Sequence, residues 1–111
     1  MTTASVGYIS PRLDGAALVL SCPNGRGGEL AQAFTPAEAR EFLVVLSHYA
    51  HNANLNRRAV RIVITDGAQS ASHDLAPDDA AKLASLVARI IARAERGARD
   101  LTGASIIGQR D

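Results

Sequence analysis

His48 and His51 stand three residues apart, a spacing that brings two imidazoles within reach of one metal ion if the chain between them is helical. A zinc or iron site needs a third protein ligand. The other ligand types are His73-Asp74 and the single thiol, Cys22, and neither falls at a spacing that joins the first pair. We therefore read His48 and His51, with Glu41 and Val44, as the solvated face of a helix and expect no metal. Cys22 is followed by Pro23 and has no His or Asp at the spacing of a cysteine hydrolase, so it reads as a small hydrophobe packed with Leu18 and Leu20. The acidic residues are committed to caps, turns and helix surfaces, which leaves no carboxylate pair for general acid–base work. No catalytic residue and no cofactor is expected.

Phosphate chemistry has two candidates. Gly25-Arg26-Gly27-Gly28 follows a strand, but it lacks the Lys-Ser/Thr of a phosphate loop and leads into another strand, so it reads as a hairpin loop. Arg57, Arg58 and Arg61 cluster around the start of a strand, and Arg89, Arg93 and Arg96 form a helical stripe that could follow a phosphate backbone. Against a nucleic-acid partner, no aromatic residue is interleaved with these arginines. The stripe also complements the helix dipole, and Asp78-Lys82 and Glu95-Arg99 are spaced to pair on the same helix. Eleven of the twelve basic residues are Arg, but the formal net charge is only +1, so no global field selects an anionic partner.

The elements that must position these residues belong to one domain of 111 residues. Its hydrophobic fraction is 47%, much of it Ala, with four aromatic residues and no Trp, which predicts a thin core of Leu, Ile and Val. One cysteine excludes an internal disulfide, and a reducing cytoplasm is the expected location. Residues 1–20 lack a basic run followed by an apolar one, and no stretch approaches the roughly 20 apolar residues of a membrane span, so no membrane partner is expected.

Residues 5–10 are β-prone, and Pro11 behind them assigns that strand to a sheet edge. Asp14-Gly15 turns the chain into a strand over 16–22, and a weaker strand follows over 29–34. Thr35 and Glu38 have the spacing of a capping box, with Pro36 at the first helical position. Ala39, Phe42, Leu43, Leu46, Tyr49, Ala50 and Ala53 then mark one buried helix face, ending where Asn52-Ala53-Asn54-Leu55-Asn56 can supply a left-handed stop. A strand over 59–65, a turn at Asp66-Gly67, a weak run over 70–75 and a helix over 77–96 complete the pattern. Gly97 should close that helix, and Ala104-Ser105-Ile106-Ile107 could add a last strand. The second helix has Ala76 at its cap position, without the hydroxyl of Thr35.

An offset of 41 carries Phe42, Leu43, Val45, Leu46, Tyr49, Ala50 and Ala53 onto Leu83, Ala84, Leu86, Val87, Ile90, Ile91 and Ala94. The expected fold is therefore α+β, a two-layer sheet of four to six strands with two helices on one face. It would be built by tandem strand–strand–helix duplication of about 16–56 and 58–97. The helix start Thr35-Pro36-Ala37-Glu38-Ala39-Arg40 resembles small uncharacterised proteins of actinobacteria and their phages, and Ala76-Pro77-Asp78-Asp79-Ala80-Ala81 is a second copy without the hydroxyl and the Arg. The resemblance implies a source and a size class, not an activity.

These observations point to a small non-catalytic binding or regulatory module acting through a protein interface. The alternative is nucleic-acid binding through Arg57, Arg58, Arg61, Arg89, Arg93 and Arg96. A homodimer is also expected. Its surface would be the open sheet face carrying Val19 and Val63 with Ala17, Ser21, Arg61 and Thr65, or the small-residue stripe Ala81, Ser85, Ala88 and Ala92.

Overall fold

The structure is a computed structural model that describes residues 5–110, and the side chains of residues 5–97. Its elements are β1 (Ser10–Asp14), β2 (Ala17–Pro23), β3 (Glu29–Phe34), α1 (Pro36–Asn56), β4 (Val60–Asp66), β5 (Gln69–Leu75) and α2 (Pro77–Arg110). The fold is α+β, and every strand pairing is antiparallel. β1, β2 and β3 form one sheet in that order, and β4 and β5 form a second.

Two hairpins share one turn chemistry. Asp14-Gly15-Ala16-Ala17 joins β1 to β2, and Asp66-Gly67-Ala68-Gln69 joins β4 to β5. Both glycines sit at φ +62°, which costs a residue without Cβ nothing. The β2–β3 loop is longer, and Asn24 organises it: its Oδ1 accepts from the Arg26 and Gly28 amides at 2.7 and 3.1 Å. This loop is a hairpin connection, as its composition predicts.

The two sheets meet where β3 runs beside β4, and side chains replace the backbone ladder there. Asp66 Oδ2 accepts from the Ala31 amide at 3.1 Å, and Gln32 Oε1 accepts from the Thr65 amide at 2.9 Å. Strand alternation then sets the core. Leu18, Leu20 and Cys22 of β2, Leu30 of β3, and Val60, Ile62 and Ile64 of β4 are buried. The helices contribute Ala39, Leu46, Ala50 and Ala53 from α1 and Ala80, Leu83 and Val87 from α2. The helices pack antiparallel. Arg40 near the start of α1 pairs with Glu95 of α2 at 2.7 Å, while Ala50, His51 and Asn54 share a groove with Pro77, Asp78 and Ala81.

Three elements depart from expectation. Residues 5–10 do not form a strand: Gly7 at φ +59° turns the chain, and Val6 and Ile9 close the turn with reciprocal amide–carbonyl bonds of 2.9 and 3.0 Å. The edge strand begins instead at Ser10 and contains Pro11, which an edge tolerates because one side of the strand has no ladder. The stop of α1 falls on Arg57, at φ 57° and ψ 41°, rather than on an asparagine. The asparagines are already satisfied inside the helix, Asn52 with His48 and Asn56 donating to the Asn52 carbonyl. Finally, α2 runs through Gly97, and residues 104–107 are helical rather than a strand. A glycine within a helix costs about 1 kcal/mol relative to Ala, too little to end a helix flanked by good helix formers. No helix among the described residues is long and apolar enough to cross a membrane.

Candidate interaction surface

The capping box starts α1 as the sequence predicts. The Glu38 amide donates to Thr35 Oγ1 at 3.2 Å, and the Thr35 amide donates to Glu38 Oε1 at 2.9 Å. The Thr35 amide first, and then the Thr35 hydroxyl, hold the Glu38 carboxyl below its ordinary pKa. From this start the 3.6-residue period turns Ala39, Leu46, Ala50 and Ala53 inward, with Phe42 and Leu43 half-buried. The Phe42 ring lies 5.2 Å from that of Phe34, which ties the helix to β3.

Outside that face α1 also carries apolar side chains, Val44 and Leu55 on one flank and Val45 and Tyr49 on another. Val44 and Leu55 are each 68% exposed, Tyr49 57% and Val45 50%. Tyr49 corrects an expectation, since its spacing assigns it to the core. Tyr49 instead lines a groove with Asn52, Asn56, Arg58 and Arg61. His48 and His51 are exposed on this outer side, as predicted, with the His48 Nε2 3.0 Å from Asn52 Nδ2 and its ring edge-on to Tyr49. Among the described residues no three potential metal ligands gather. His73 points to the core side of β5, where its Nε2 is buried without a hydrogen-bond partner and its ring lies 6.2 Å from that of Tyr8.

The six candidate phosphate contacts are exposed but not assembled. Arg61 is engaged with Asp74, its Nε 2.9 Å from Oδ1. Arg57 and Arg58 lie at the C-terminal end of α1. Arg89, Arg93 and Arg96 lie on the part of α2 that runs past the N-terminal end of α1, where Arg40 meets Glu95. At 1.5 Å per residue the two groups are roughly 20 Å apart along the helix pair.

The expected sheet-face interface is corrected at Val19, which is 5% exposed against 51% for Val63. Val19 lies on the central strand of its sheet, between Arg12 and Ala33. The Arg12 side chain crosses the same face, reaching Ser21 Oγ at 3.2 Å and Glu29 Oε1 at 3.7 Å. Val63 belongs to the other sheet, so no continuous apolar face joins the two valines. Of the small-residue stripe, Ala88 is exposed and Ala92 half-buried. Cys22 is buried, and that burial, reinforced by Glu29, pushes its thiol pKa up, the opposite of what a nucleophile needs.

Sequence reasoning missed Val45 and Leu55 as surface residues and Arg12 as a cover for β2. The signal for the first two was present: the core face of α1 accounts for only part of its large apolar side chains. Comparisons with protein-family models, with curated proteins and with solved structures return no match.

Proposed function

We propose that this chain is a small non-catalytic binding or regulatory module whose protein interface is the outer face of α1. One observation carries the reading. Six large apolar side chains are exposed among the described residues, and Val44, Val45, Tyr49 and Leu55, four of them, lie on this one helix. Scattered apolar residues are ordinary on a protein surface, whereas four on one helix, set among polar groups, support an interaction surface there. His48, His51, Asn52 and Glu41 supply that polar surround.

The test is capture from a lysate of the source organism with the wild-type chain and with Val44→Lys/Leu55→Lys. A protein retained by the first and lost by the second supports the reading. Identical capture profiles would place binding elsewhere, and a salt-sensitive shift of duplex DNA without any Val44-dependent protein would favour the arginine clusters.

A further inference from the structure

We propose that the outer edge of β5 is a second binding surface, separate from α1, which takes an extended peptide of a partner protein as an added strand. The two-residue turn Gly67-Ala68 makes Asp66 and Gln69 the pair that closes the β4–β5 ladder. Every second residue back from that pair bonds across the ladder, and the residues between turn their amides and carbonyls away from it. The Thr65 amide shows this alternation, since it leaves the ladder to donate to Gln32 Oε1 at 2.9 Å. Ser70, Ser72 and Asp74 stand opposite Thr65, Val63 and Arg61, so their backbone groups point away from β4 as well. All three residues are exposed, and among the described residues no backbone hydrogen bond joins β5 to any element but β4.

The other strand edges are closed. In β1 the same alternation puts Pro11 and Leu13 outward; Pro11 has no N–H to offer, and Leu13 lines a small cavity with Ile90 and Ile91 of α2. β3 and β4 occupy each other's edges through Asp66 and Gln32. β5 has none of the devices that guard an edge. It is seven residues long, contains neither Pro nor Lys, and its one carboxylate, Asp74, is matched by Arg61. Its three outward rungs recur at alternate residues, about 7 Å apart, each with one donor and one acceptor. That pattern is answered by another extended backbone, not by a helix, whose amides and carbonyls are already paired. The exposed face beside the edge carries Ser70 and Ser72 next to Thr65 and Val63, which suits small or β-branched neutral side chains in the added strand.

The experiment is amide hydrogen exchange and shift mapping by NMR on the full chain. The probe is a capped peptide of alternating threonine and valine with a lysine at each end, and the control is the same peptide N-methylated throughout, which has no amide to donate. In the free chain the Ser70, Ser72 and Asp74 amides should exchange quickly while those of Ala71 and His73, bonded to β4, are protected. The probe should shift the three outward amides and slow their exchange, and the methylated control should not. Ser72→Pro removes the middle outward donor and spares the ladder, so the chain should stay folded and bind the probe roughly fivefold to tenfold more weakly. Outward amides that keep their free exchange rates at about 5 mM probe overturn the inference, since that bounds Kd above the millimolar range. An equal response to the methylated control overturns it too, and needs no variant to fold. Wild-type affinity in Ser72→Pro would place the peptide elsewhere. Outward amides already protected in the free chain would mean that the edge is covered, and protection that grows with protein concentration would make the occupant a second copy and overturn the partner peptide.

Discussion

Arg61 of β4 and Asp74 of β5 stand directly opposite each other in the ladder, with Nε 2.9 Å from Oδ1 and Nη2 3.4 Å from Oδ2. The guanidinium bond, and then its charge, hold the Asp74 carboxyl below the ordinary carboxylate range and raise the Arg61 pKa. The pairing engages Arg61 within the chain, and it puts an ion pair beside Val63, on a face expected to carry small and apolar groups with little charge.

Acid sensitivity follows from the same pair and from the Glu38 cap. Both carboxyl groups have folded pKa values below their unfolded ones, so each contributes stability that is present above the unfolded value and lost as pH falls through the folded one. The acid limb of a melting-temperature profile, below about pH 4, should be shallower in Asp74→Asn and in Glu38→Gln than in wild type. Both groups are exposed, so the changes should be small. A limb of unchanged steepness in both variants would remove these carboxylates from the account.

The two helix starts should respond oppositely to a hydroxyl. Thr35→Ala removes an acceptor that the Glu38 amide uses, at a cost of about 1 kcal/mol. Ala76→Ser supplies one where only the Ala76 carbonyl now serves α2, receiving the Ala80 amide at 2.9 Å, and should raise stability slightly. Thermal melts of opposite sign are expected.

Arg57 is the one non-glycine residue among those described that occupies the left-handed region. Its amide closes the helix on the Ala53 carbonyl, a geometry that glycine adopts without strain. Arg57→Gly should stabilise the fold by about 0.5–1 kcal/mol, the left-handed penalty outweighing the added freedom of the unfolded chain. Urea titration would show this as a raised midpoint with an unchanged slope.

Core truncations should separate fully from partly buried sites. Leu83 is wholly enclosed, so Leu83→Ala should cost about 2–5 kcal/mol, enough to threaten a small domain. Leu43 is only half-buried, and Leu43→Ala should cost distinctly less. Equal losses in chemical denaturation would contradict the packing described.

Burial also protects the thiol. Cys22 should react with a thiol reagent slowly in native protein and rapidly in denaturant, because its side chain is enclosed and its pKa raised. Fast labelling of the native chain would mean that β2 opens readily.

What the sequence by itself determined are the features governed by nearest neighbours along the chain. Thr35, Pro36 and Glu38 start α1 because cap and box bonds close within one turn, and Asp-Gly-Ala bends two hairpins because only glycine is at ease at φ +62°. Alternation marked Leu18, Leu20, Cys22, Val60, Ile62 and Ile64 as one set of inward residues, and all six are buried. The tandem duplication expected from the repeat spacing is not established by the fold. The offset of 41 relates Ala39 to Ala80 and Leu46 to Val87, all buried, while the shared turn relates β1–β2 to β4–β5 instead.

Tertiary structure alone decided what covers each face. Val19 and Val63 have the same alternation, yet one is enclosed by flanking strands and Arg12 while the other is open. The two arginine groups are separated because antiparallel helices carry the end of α1 away from the second half of α2. Tyr49 and Leu55 stand outside because two helices and two small sheets enclose only one side of α1. Periodicity shows which side chains share a face, and only the packing of distant segments settles whether water or protein lies against it.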